Sequence, residues 1–205
     1  MNTLKSFIKS MVLLLLTSFI MAILTLFIKN ESLTYLFTYL FASIFFVIFY
    51  KDKIIKDAKN LKKDLTLKNI LIPISLFILC FIVNIVLIQL LKVEANNEII
   101  AEKTLLNSPI LTIPYMCIFA PIVEEMTFRL PYKKNKLSIF ISTLVFALLH
   151  IVYKTPIDLI FIIPYFILSS GLSYAYFKNE NILMSIIMHI INNSVNIVVL
   201  FIQVM

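Results

Sequence analysis

The sequence predicts an all-α, polytopic integral membrane protein with about seven transmembrane helices, and three observations carry that prediction. First, 61% of the 205 residues are hydrophobic and the mean hydropathy is +1.00. A soluble domain of this size would expose apolar patches far larger than soluble monomers tolerate, whereas lipid can solvate them. Second, charged residues are confined to short segments between long charge-free runs. Third, the chain has one Gly and neither a Gly/Ser linker nor a Pro-rich tract, and no internal repeat is evident. One membrane domain, 1–205, is expected, and it is helical because open sheet edges cannot face lipid.

The runs are, in order, Ser10–Ile28, Ser32–Tyr50, Asn69–Leu91, Thr104–Val123, Leu137–Tyr153, Leu159–Phe177 and Asn181–Met205. A helix crosses the hydrocarbon core with about 17–25 mainly apolar residues, so each qualifies. The first follows Lys5 and Lys9 as a secretory signal would. It is too long for a signal's apolar region and lacks a small-x-small cleavage site, so a retained span is expected. The fourth run is expected to continue past Val123 to Leu130, and the fifth is the shortest.

Lysines set the expected orientation. The N-terminal segment and the second, fourth and sixth loops hold thirteen, and the alternate loops hold only Lys29, Lys92, Lys103 and Lys154. Cytoplasmic loops carry such an excess, so a cytoplasmic N-terminus in the cell membrane follows. The net charge of +7 is then a topology signal and not a nucleic-acid footprint. The second-loop lysines are interspersed with Asp52, Asp57 and Asp64 and are expected on the anionic inner leaflet. Cys80 and Cys117 lie in apolar runs and read as packing residues.

Ionisable groups inside a span are costly and mark function by default. Here they are Glu124, Glu125, Arg129, His150 and His189, which include the only arginine and both histidines of the chain. Glu125 and Arg129 are spaced i, i+4, acid first, which suits a helix ion pair. Glu124 is turned about 100° away and is left without a local partner, available as a general base. Pro121 removes a helix donor and predicts a kink just before the pair, and Pro131 helps to end the helix. His189 and Asn193 share a face, widened by Asn192 and Asn196 into a polar stripe, and Phe146 lies one turn before His150. Counting about 1.5 Å per residue from the cytoplasmic ends places Glu124 roughly 13 Å deep, His189 12 Å, Asn193 18 Å and His150 20 Å, which allows one shared site.

Structural readings of the same residues compete with these. A buried Glu–Arg pair can simply lock helices together, and Phe146 reads as packing. Asn192 and Asn196 can bond neighbouring helices, and Ser169, Ser170, Gly171 and Ser173 form a small-residue patch suited to close helix approach. Tyr35, Tyr39, Tyr50 and Tyr153 suit interfacial belts.

Glu-Glu-x-x-x-Arg (Glu124, Glu125, Arg129), Phe-x-x-x-His (Phe146, His150) and His-x-x-x-Asn (His189, Asn193) stand in that order, each within a span. Together they resemble the CPBP family, the CaaX proteases and bacteriocin-processing enzymes also called Abi, whose members are intramembrane endopeptidases. The resemblance covers roughly Thr104 to Asn196. It divides the chain into N-terminal helices without motifs (1–103) and a catalytic core (104–205). It implies that Glu124 with His150 activates a water, that His189 and Asn193 donate to the oxyanion, and that Glu125 and Arg129 hold their helix in place. Two histidines and a glutamate could also bind Zn²⁺. The sequence has no His-Glu-x-x-His, and Asn193 is a poor zinc ligand but a good oxyanion donor. No cofactor is therefore expected, with zinc left open.

The function expected is cleavage of a peptide or membrane-anchored protein, in peptide or bacteriocin maturation or self-immunity. An Ile-, Lys- and Asn-rich composition suits an AT-rich bacterial genome, where prenylated substrates are less expected. The alternative is a non-catalytic immunity or regulatory scaffold that binds a partner membrane protein. A proton-coupled transporter ranks last, because the ionisable set is confined to one half of the chain.

Overall fold

The computed structural model describes residues 3–204, with side chains described to residue 202. Ten α-helices account for most of it: α1 (Thr3–Phe27), α2 (Glu31–Phe49), α3 (Lys51–Asp64), α4 (Leu67–Leu91), α5 (Asn96–Asn107), α6 (Pro109–Pro114), α7 (Ala120–Phe128), α8 (Lys136–Leu149), α9 (Ile162–Asn179) and α10 (Ile182–Val204). A π-helical turn, Tyr115–Phe119, fuses α6 to α7, and a 3-10 turn, Pro156–Phe161, leads into α9. No strand occurs among the described residues.

Six segments are long and apolar enough to cross a membrane: α1, α2, α4, the fused Pro109–Phe128 helix, Pro156–Asn179 and Ile182–Ile202. The fifth expected span is α8, which has only 14 residues. The all-helical, multi-span class therefore holds, with six full-length spans and a short seventh apolar helix.

Two boundaries differ from the sequence reading. Thr104–Asn107 belong to a separate helix, α5, and do not open the fourth span. Pro109 is the cause. It has no N–H and disfavours helical geometry at the residue before it, and Ser108 leaves that geometry with φ −152°. The second loop, read only as a charged connection, folds as α3 and packs on α10.

Helix α9 is the centre of the bundle, packing against α4, α8 and α10. Gly171 lets α4 approach closely, since a Cβ there would come within 2.9 Å of the Phe77 ring. This agrees with the expected small-residue patch. Helix α2 packs on the π turn and α7, bringing the N-terminal half of the chain against the motif-bearing half. Tyr35 and Tyr39 are not a free interfacial belt. Their rings pack on Tyr115 of the π turn, with centroids 5.6 and 5.3 Å apart. At the far end of α4, Asn84 donates to Glu98 of α5 at 3.0 and 3.1 Å, Asn96 bonds Asp158, and Asn97 bonds the Tyr165 hydroxyl.

Candidate active site

Proline chemistry shapes the helix that carries the two glutamates. In a regular α-helix Pro121 would leave the Cys117 carbonyl without its donor. The chain forms a π turn there, and the Ala120 N–H reaches back to the Tyr115 carbonyl. The Met116 carbonyl then has neither Ala120 nor Pro121 to accept from. The Asn193 side-chain amide of α10 fills that place, donating to Met116 O at 2.9 Å. The Asn193 carbonyl oxygen accepts in turn from Asn192, so one N–H of its amide is left for another partner.

Directly after the turn, Glu125 is fully buried and makes the expected i, i+4 pair, with Arg129 Nε 3.0 Å from its Oε2. Burial of a guanidinium demands partners for all its N–H groups. Nη1 donates to the Ser142 hydroxyl at 2.9 Å and to its carbonyl at 3.3 Å, and Nη2 donates to Ser169 Oγ at 3.1 Å. The cation also sits 5.0 Å above the Phe146 ring centroid, a favourable cation–π position. Arg129 thus ties α7 to α8 and α9.

Glu125 does more than pair with Arg129. Its Oε1 lies 3.0 Å from His189 Nδ1, and its Oε2 accepts a hydrogen bond from the Ser185 hydroxyl. An ionised carboxylate can only accept, so Nδ1 of His189 carries the proton of that bond and Nε2 faces the other way. Nε2 looks onto Glu124, 3.8 Å from Oε2. His150, at the C-terminal cap of α8, is set by the same logic. Its Nδ1 lies 2.8 Å from the Phe146 carbonyl, which can only accept, and its Nε2 is 3.6 Å from the same Glu124 oxygen. When neutral, the His150 ring presents a lone pair towards Glu124. Phe146 supports both rings, stacked on His150 at 4.1 Å and edge-on to His189 at 5.8 Å.

The structure thus gathers Glu124, His150 and His189 around one point and places Asn193 one turn beyond His189. Glu124 and His150 are about one-fifth exposed, and His189 is almost wholly buried. Helix α2, whose Tyr39 packs on Tyr115, also lies against α7 beside the site. A small depression borders His150, lined by Asn96, Asn97, Asp158, Phe161 and Tyr165 among others. It lies by the α4–α5 connection, not at the lysine-rich end. No three described His, Cys, Asp or Glu side chains are grouped so as to hold a metal ion.

Ser142, Ser169 and Ser185 were missed as partners of the charged set. Ser169 was read only as part of a small-residue patch. A signal was nonetheless present: Ser142, Phe146 and His150 are spaced four apart, as are Ser185, His189 and Asn193, so each row lies on one helix face. Phe146, read as packing, also serves as the shared platform for both histidines and Arg129.

Comparison with known proteins agrees with the motifs. Residues 106–195 match the family described as type II CAAX prenyl endopeptidase Rce1-like, a CPBP family of proteases. No curated protein and no solved structure matches the chain.

Proposed function

We propose, from the family match over residues 106–195 and the geometry of the site, that the protein is an intramembrane endopeptidase that hydrolyses peptide bonds with a water activated by Glu124 and His150. The observation that carries this reading is the convergence of two histidine Nε2 atoms on one glutamate oxygen, at 3.6 and 3.8 Å. Both separations exceed a direct hydrogen bond and suit a bridging water. Glu124 accepts one proton of that water, and the His150 Nε2 lone pair accepts the other hydrogen bond and aims the oxygen. Attack on the scissile carbonyl then places negative charge on its oxygen. The free N–H of Asn193 donates to it. His189 donates from Nε2 when its ring carries a proton on both nitrogens. Protonated Glu124 returns its proton to the leaving amine. No step uses a metal.

The substrate is a peptide or a membrane-anchored protein, and we favour peptide or bacteriocin maturation or self-immunity as the setting. The test is to reconstitute the purified protein and present farnesylated CaaX peptides and unmodified leader peptides, reading products by mass spectrometry. Cleavage lost in Glu124→Gln supports the reading. A Glu124→Gln protein that retains full biological activity would instead establish the non-catalytic scaffold.

A further inference from the structure

The second-loop lysines alternate with acids in the sequence, but helix α3 separates them in space. Asp57 is buried, and Asp64, two turns later, lies on the same face. Both are used up internally. Asp57 accepts from the Ile182 N–H and pairs with Lys53, and Asn181 donates to the Asp64 carboxylate and the Asp57 carbonyl. Lys53 also donates to the Glu180 carbonyl. At 100° per residue, Lys51, Ile55, Lys56, Lys59, Lys62 and Lys63 project from the opposite face, and all are exposed. Asp52 is the only acid among them. The Lys134–Lys178 carbonyl bond brings a second basic group to the Asn179–Ile182 connection that α3 clamps.

We propose that the outer face of α3 is a docking surface for anionic phospholipid headgroups, and that docking steadies the N-terminus of α10, the helix that carries His189. Charge complementarity selects the partner. Five lysines around one exposed isoleucine form a helix face with a polybasic rim and an apolar residue that reaches the acyl boundary. The mechanical link is Asp57. It caps the first residue of α10, and His189 lies two turns further along the same face, so a fixed α3 fixes the start of the helix that positions the histidine. This inference concerns the membrane surface and does not depend on peptide hydrolysis.

The chain contains no tryptophan, so Ile55→Trp supplies a single fluorescent reporter on this face. The full-length protein would be placed in vesicles of phosphatidylcholine alone or with about a third phosphatidylglycerol, each containing shallow-brominated lipid. We expect several-fold stronger quenching with the anionic lipid. That excess should be lost in about 1 M salt, where the Debye length is roughly 3 Å. Amide exchange at Ile182–Ser185 should slow in step. Replacing Lys56, Lys59, Lys62 and Lys63 by Gln should remove the excess too, and the salt arm stands even if those changes disturb insertion. Equal quenching in both vesicles, or salt-insensitive quenching, would overturn the proposal. Quenching relieved by soluble polyglutamate at matched ionic strength would reassign the face to an acidic peptide and overturn it as well. Docking without any change in α10 exchange would overturn the link to His189.

Discussion

Glu125 Oε1 lies 3.0 Å from His189 Nδ1 while its other oxygen holds Arg129 and Ser185. One buried carboxylate thus neutralises the arginine that joins three helices and fixes which nitrogen of His189 faces Glu124. Glu125→Gln removes both services. Breaking a buried ion pair by deleting one partner costs about 3–5 kcal/mol. The variant should be recovered in lower amount, with a lowered melting temperature in detergent, and any surviving protein should be nearly inactive. A protein of normal abundance and activity would show that neither service matters.

Glu124→Gln is expected to behave differently. Glu124 is partly exposed and, unlike Glu125, holds no arginine, and glutamine keeps its size and polarity but accepts no proton. Peptide cleavage should fall by about 10²–10⁴, the usual contribution of general acid–base catalysis. The melting temperature should not move. His150→Ala should cost activity in the same way, with a small stability loss from the missing stack on Phe146.

These two glutamates also show how much of the site could be read from the sequence. Neighbours in the chain point about 100° apart on a helix, and that alone separated a paired Glu125 from an unpaired Glu124. The gathering of Glu124, His150 and His189 followed from the cost of leaving ionisable groups in lipid. Serine partners were harder to see, because a hydroxyl in an apolar helix can always bond its own backbone and so declares nothing. Helix α3 was hidden for another reason. Read as a charged run between spans, its lysines and aspartates hide the two faces that a 100° repeat gives them. The break at Ser108–Pro109 was legible in principle from the proline, but the surrounding apolar run masked it.

Ser185→Ala tests whether the hydroxyl positions Glu125 or merely fills space. Ser185 is fully buried one turn before His189 and bonds the Glu125 carboxylate. Loss of a hydrogen bond to a charged group typically costs about 1.5–3 kcal/mol. If that loss lets Glu125 and His189 drift, kcat should drop with KM unchanged, and the pH profile should shift. Ser185→Thr should retain more activity than alanine, provided the extra methyl fits. A change confined to stability would make Ser185 a packing residue.

Orientation is the next prediction. The lysine bias predicts a cytoplasmic Lys59 and an external Asn97. In the structure Lys59 projects from α3 and Asn97 lies in α5, by the depression at His150. Reporter fusions or cysteine labelling at the two positions should give opposite sides. The reverse assignment would move the lysine-rich end and the α3 surface to the exterior.

The last prediction joins Pro121 to Asn193. The π turn and the missing proline N–H leave the Met116 carbonyl without a backbone donor, and Asn193 supplies it. Asn193→Ala should therefore have two effects, loss of an oxyanion donor and an unpaired carbonyl in a half-buried turn. An oxyanion donor is worth about 10²–10³ in kcat, and an unsatisfied buried group about 1–3 kcal/mol in stability. The effects can be separated by a double-mutant cycle with Pro121→Ala, which restores a backbone N–H within reach of that carbonyl. In the Pro121→Ala background the stability cost of Asn193→Ala should shrink, because the backbone can now satisfy Met116. The cost in kcat should persist, since no backbone N–H near Met116 replaces a donor at the scissile carbonyl. If both costs vanish together, Asn193 acts only by bracing the glutamate helix, and the oxyanion role falls to His189 alone.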